Sequence, residues 1–160
     1  MADEEQLIDK LVSWRTIPVV GKLVRYVLRV VFGTMLPDST FLGEGTRIVH
    51  GNSTNLHPKV VVGRNCMIFQ NTSVGRSNID VDEPEDFIVV VEDYAVISTG
   101  VVVAAPDEGL VVGEGTLVAA NSVLKESTGK WEIWGGIPAR KIGERTNRAE
   151  ILARFGADEK

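Results

Sequence analysis

The chain contains two histidines, His50 and His57, seven residues apart in the stretch RIVHGNSTNLHPK that runs from Arg47 to Lys59. An imidazole titrates close to neutral pH, so either one could take a proton from a hydroxyl and act as a general base. Their surroundings separate them. His50 lies between an aliphatic residue, Ile48, and a Gly51–Asn52 turn, and no packing role explains a histidine there. His57 precedes Pro58 and reads as a turn residue with a secondary part in binding a substrate. A zinc centre of the three-histidine type needs one more imidazole than the chain has, so no metal is expected. Cys66, the single cysteine, sits in NCMIFQ and reads as a small buried hydrophobe rather than a nucleophile.

The elements that must hold these residues follow from composition and period. At 160 residues with 44% hydrophobic content, the chain can bury one core but not two substantial ones. A formal net charge of −5, with no concentration of Lys and Arg, argues against a nucleic-acid surface. The start, MADEEQ, has no signal-peptide pattern, and no apolar run approaches the roughly 20 residues of a membrane span. A reducing cytoplasm is the expected location.

Three zones divide the chain: a helical extension over 1–34, a repeat over 35–134, and a cap with a short helix over 135–160. In the first zone, residues 5–32 carry helical spacing with a restart at Pro18. The second helix has its charges, Lys22, Arg25 and Arg29, on one stripe. That pattern predicts a helix burying most of its circumference with one basic edge wet, and packing on its own domain or trimer is preferred to contact with a membrane surface. In the second zone an aliphatic residue recurs every six positions: Leu42 and Ile48; Val62, Ile68 and Val74; Val91, Ile97 and Val103; Val112, Val118 and Leu124. Gly follows Leu42, Val62, Val74 and Val112. Three six-residue units close a triangular coil whose aliphatic residues point inward, so the period predicts an all-β solenoid with stacked coils. GRSNIDVDEPEDFIV, after Val74, is too long for one rung and should leave the prism as a loop. The last zone, which ends in a short helix from about Asn147 to Phe155, is expected to cap the prism.

The six-residue repeat, the segment NCMIFQNTSVG and the ending GGIPARKIG resemble the left-handed parallel β-helix acyltransferases. Within them the chain is most similar to the serine acetyltransferase-like branch, which includes capsule polysaccharide O-acetyltransferases. The resemblance covers roughly residues 33–145 and implies a left-handed parallel β-helix, a homotrimer and acetyl-CoA as acyl donor in a cleft shared by two subunits. Counting back from IFQNTSVG, it places the catalytic base on His50. It also implies that the pantetheine arm runs near Thr99, Gly100, Ala119 and Ala120, with Pro138, Arg140 and Lys141 toward the nucleotide. Asn52, Asn55, Asn71 and the acidic stretch 80–86 would line the acceptor.

Departures from the family pattern narrow the acceptor. Val49 stands where serine acetyltransferases carry an acid, and Phe87 and Ile88 where they carry an Arg–His pair. Those charges would hold the amino and carboxylate groups of serine, which apolar side chains cannot replace. A hydroxyl of a sugar, glycan or glycan precursor is therefore the expected acceptor. Serine acetylation, and a non-catalytic assembly role for the prism, are the alternatives. Met35 occupies the position of the acid that orients the family's histidine, and Asp38 is the nearest acid. Orientation of His50 would then come from a backbone carbonyl or a neighbouring subunit.

Overall fold

The computed structural model describes residues 2–156. Met1 and residues 157–160, at the ends of the two terminal extensions, lie outside the described residues. Two helices, α1 (Ala2–Trp14) and α2 (Gly21–Val31), precede the strands β1 (Phe41–Leu42), β2 (Arg47–Val49), β3 (Asn55–Leu56), β4 (Val60–Val62), β5 (Met67–Phe69) and β6 (Ser73–Arg76). There follow β7 (Val89–Val91), β8 (Val96–Ile97), β9 (Val102–Ala105), β10 (Leu110–Val112), β11 (Leu117–Val118), β12 (Val123–Leu124), β13 (Glu132–Gly136) and β14 (Ala139–Glu144). A last helix, α3, spans Arg148–Arg154.

The chain visits three sheets in rotation. The first has the order β1-β4-β7-β10, the second runs β2-β5-β8-β11 and continues into β13 and β14, and the third has the order β3-β6-β9-β12. Within each, pairing is parallel from coil to coil, apart from the antiparallel β13–β14 hairpin. This is the triangular prism that the six-residue period predicts. Ten of the eleven aliphatic residues on that period are buried, and Leu42 packs partly buried against them.

A second buried column lies two residues before the first, because a short strand turns residues i and i+2 to the same side. It contains Val60, Cys66, Thr72, Val89, Ala95, Val101, Leu110, Thr116 and Ser122. Cys66 is thus one rung of a ladder of small side chains, in agreement with its reading as a buried hydrophobe. The hydroxyls in this column stay paired: Thr116 donates to the carbonyl of Gly129 at 2.7 Å, and Ser122 accepts from the N–H of Gly136 at 3.1 Å.

One expectation changes. α2 does not bury most of its circumference: Gly21, Val24 and Leu28 are buried, while Leu23, Tyr26, Val30 and Val31 are exposed. A helix laid along one edge of a prism contacts it with a single stripe, and the remaining apolar residues stay exposed among the described residues. Capping of the last rung falls to the β13–β14 hairpin, with β13 paired on β11. α3 reaches a corner of the prism, where Phe155 packs on Tyr94 and Arg148 lies over the Trp131 ring.

Candidate functional site

Each coil turns three corners, and the two histidines occupy different ones. His50 follows β2 at the corner between the second and third sheets, and His57 follows β3 at the corner between the third and first. The His50 corner is irregular in a specific way. Pairing of Arg47 with Met67 in the second sheet is a step of 20 residues, whereas pairing of Asn55 with Ser73 in the third is a step of 18. Two residues are therefore extra in the first coil. The backbone bond from Asn71 N–H to the Asn52 carbonyl matches the Gly100–Gln70 and Asn121–Thr99 bonds one and two coils on, which aligns Asn52 with Gln70 and Thr99. The additional pair is His50–Gly51. His50 takes a left-handed backbone, φ 56°, and its side chain is exposed. A β-helix corner of minimal length points its residues along the coil, whereas a two-residue bulge lifts a side chain clear of the stack.

The bulge is held from two sides. The buried hydroxyl of Thr34 donates to the carbonyl of Gly51 and accepts from the N–H of Thr54 at 3.3 Å. From outside, Ile8 of α1 closes on Gly51, where an added Cβ would meet the Ile8 Cγ2 at 2.6 Å. Phe69, one coil further, presents its ring 6.5 Å from that of His50.

Most of the residues expected at the site share this corner. Asn52 and Asn71 are exposed on the first two coils, Thr99 and Gly100 are on the third, and Ala119 and Ala120 are on the fourth. The column is lined by small side chains, which would let a ligand approach the backbone closely. At its far end the hairpin brings the cis Ile137–Pro138 bond beside Ser122, and Gly135 approaches the methyl of Ala119. Val123, Lys125, Glu126, Ile137, Pro138 and Arg140 enclose a groove of about 470 Å³ there. Arg140 is ion-paired with Glu126.

Lys141 and His57 are not gathered with them. Lys141 bridges Glu132 at 2.9 Å and Glu144 at 3.0 Å, and its neighbours hold its ammonium pKa above the usual value. Trp134 Nε1, at 2.7 Å, and Lys141 in turn hold the Glu132 carboxyl below the usual range. His57 has both ring nitrogens engaged: Nδ1 accepts from the N–H of Lys59 at 3.2 Å, and Nε2 lies 2.8 Å from Glu83 Oε2. Its ring packs edge-on against the buried Phe87 at 5.3 Å. Glu83 belongs to the long acidic loop, so within one chain the 80–86 stretch lies at the His57 corner, away from His50. Asn55, also expected among the lining residues, sits on β3 in the third sheet. Asp38 is held by Arg25 at 2.5 Å, and Met35 pairs with Asn55.

The sequence reading did not single out Gln70, which sits on the His50 corner one coil above Asn52. Its Oε1 is buried and finds no hydrogen-bond partner among the described residues. Nor did it find Thr34 or Ile8, the supports of the bulge. The one available signal was the uneven step between coils, Ile48 to Ile68 against Leu56 to Val74.

Comparison with known proteins fits this architecture. No family model matches the chain. It is 30% identical over 124 residues to a UDP-3-O-acylglucosamine N-acyltransferase of Methylorubrum extorquens and 29% identical over 121 residues to that of Methylobacterium nodulans. These alignments cover 75% and 76% of this chain but 31% and 30% of the relatives, so the chain spans under a third of the length of the curated relatives it matches. Among solved structures it is similar to serine acetyltransferase from Brucella abortus in complex with coenzyme A, with a TM-score of 0.66 and 22% identity over 78% of this chain and 48% of that one. A serine acetyltransferase in complex with cysteine gives 0.69 and 19% over 89% and 52%. The prism described above is therefore the hexapeptide-repeat fold that serine acetyltransferases carry.

Proposed function

We propose that this chain transfers an acetyl group from acetyl-CoA to a hydroxyl of a sugar or glycan precursor, with His50 as the general base. In this reading the prism winds left-handed, three copies associate, and the donor lies along the His50 corner between two of them. His50 takes the acceptor's hydroxyl proton as its oxygen attacks the thioester carbonyl. Backbone amides hold the tetrahedral oxyanion. Collapse breaks the carbon–sulfur bond, and the imidazolium returns the proton to the departing thiolate. No metal enters the scheme.

The observation that carries the reading is the two-residue bulge: it lifts His50 out of the coil stack at the head of the corner shared by Asn71, Thr99, Gly100, Ala119 and Ala120. Support also comes from the coenzyme A complex of a structural neighbour and from the acyl transfer named for the relatives. His57 is the weaker base candidate, because it follows β3 at a different corner from the column of Thr99, Gly100, Ala119 and Ala120. Against L-serine as acceptor stand Val49 and Phe87, both buried and apolar. The relatives, named as acting on a glucosamine nitrogen, favour a second reading in which the acceptor is a sugar amine.

Release of coenzyme A thiol, measured with sugar, amino-sugar and L-serine acceptors, tests the assignment. His50→Ala should lose roughly 10² to 10⁴-fold in turnover while still binding acetyl-CoA, and His57→Ala far less. Serine turnover matching the best sugar would overturn the acceptor class. Equal loss in the two histidine variants, both folded, would overturn the assignment of the base.

A further inference from the structure

α2 carries three parallel stripes, each spaced i, i+3, i+7. Gly21, Val24 and Leu28 form the buried stripe against the prism. Lys22, Arg25 and Arg29 form the second, in which Arg25 is engaged by Asp38 and Lys22 and Arg29 are the exposed cations, and Leu23, Tyr26 and Val30 form a third that is 65%, 64% and 61% exposed. At 100° per residue the third stripe lies nearly opposite the buried one, with the basic stripe between them. The end of α1 and the turn before α2 add exposed apolar side chains at Trp14, Ile17 and Val19, the last of them 87% exposed. α2 contains no Asp or Glu, although the chain as a whole carries a net charge of −5.

From these stripes we infer that α2 docks on an anionic lipid surface. An exposed apolar stripe edged on one side by cations is the arrangement of a helix lying flat in a bilayer interface. Its apolar side chains enter the acyl boundary while Lys and Arg reach the phosphates. Tyr26, on the apolar stripe beside the basic one, has the ring and hydroxyl suited to the headgroup level. No described helix is long and apolar enough to cross a membrane, so the contact is peripheral.

Co-sedimentation of the full chain with vesicles tests the inference, using phosphatidylcholine alone and phosphatidylcholine mixed equally with phosphatidylglycerol. The wild type should sediment with the anionic vesicles, stay in solution with the neutral ones, and lose binding as salt rises. Leu23→Glu/Val30→Glu and Lys22→Glu/Arg29→Glu should each weaken partitioning about tenfold or more. Both should keep the wild-type melting temperature, oligomeric size and affinity for coenzyme A, which separates this inference from the acyl-transfer reading. Failure of the wild type to bind anionic vesicles, or variants that bind as well as the wild type, would overturn it. So would dissociation of the oligomer in Leu23→Glu/Val30→Glu, which would mark the stripe as a contact between copies.

Discussion

His57 and Cys66 are both chemically capable residues with closely packed surroundings. The His57 imidazole has a backbone donor on one nitrogen and a carboxylate on the other, and its ring is seated on Phe87. Cys66 lies wholly inside the prism, and burial pushes its thiol pKa up to about 11. A thiolate is the reactive form, so Cys66 should stay silent toward a disulfide reagent at mildly alkaline pH and react stoichiometrically once denaturant opens the prism. Rapid reaction in the folded protein, followed by absorbance of the released thiol, would contradict its placement. The sequence distinguished the two histidines by the family resemblance, counted back from IFQNTSVG, together with the Gly51–Asn52 turn beside His50. It could not supply the Glu83 contact, which depends on a loop folding back 26 residues later.

At the level of elements, the 77–88 excursion is a tethered flap rather than a loose loop. Arg76, nearly buried, pairs with Asp107 at 2.6 Å and donates to the carbonyls of Val81 and Asp82. Asp107 also accepts from Asn78 at 2.9 Å, and Lys59 pairs with Glu83 at 2.9 Å. The bond from Arg76 holds the Asp107 carboxyl below its ordinary pKa, and that from Lys59 does the same for Glu83. A depressed folded-state pKa contributes stability that is complete above the unfolded value and disappears as pH falls through the folded one. The flap should therefore loosen below about pH 4 while the apolar prism persists. Amide exchange at residues 77–88 would rise there ahead of global unfolding, and uniform protection down to the acid transition would contradict it.

Sequence length and acidity marked this segment as leaving the coil, because it breaks the six-residue step. The helices were harder to read. In α2 the stripes 21/24/28 and 23/26/30 are equally apolar, and only the neighbouring prism decides which one is covered.

For the whole molecule, the six-residue period carried most of the architecture, since every coil repeats one packing problem. Its limits show in the second buried column, which mixes Val, Cys, Thr, Ala, Leu and Ser and has no single chemical signature. Those positions select for small size, and size alone leaves many residue types open. A quasi-one-dimensional stack shares its core between neighbouring coils, so one cavity is felt along the column. Ile97, fully buried and paired between Ile68 and Val118, is a central rung. Ile97→Ala should cost about 2 to 5 kcal/mol, read from the denaturant midpoint. A loss under about 0.5 kcal/mol would show that the column collapses around the gap.

Because His50 rides on an insert rather than on the coil itself, the role proposed for it is separable from the scaffold. Excising His50 and Gly51 together would turn the 20-residue step of the first coil into the 18-residue step seen in the adjoining sheet. Such a deletion removes irregularity instead of adding it, so the shortened chain should melt no lower than His50→Ala while turning over no acceptor. Calorimetry of the two proteins side by side would decide the matter: a much lower transition in the shortened chain would mean that the bulge is a strut of the prism and not a detachable tool mounted on it.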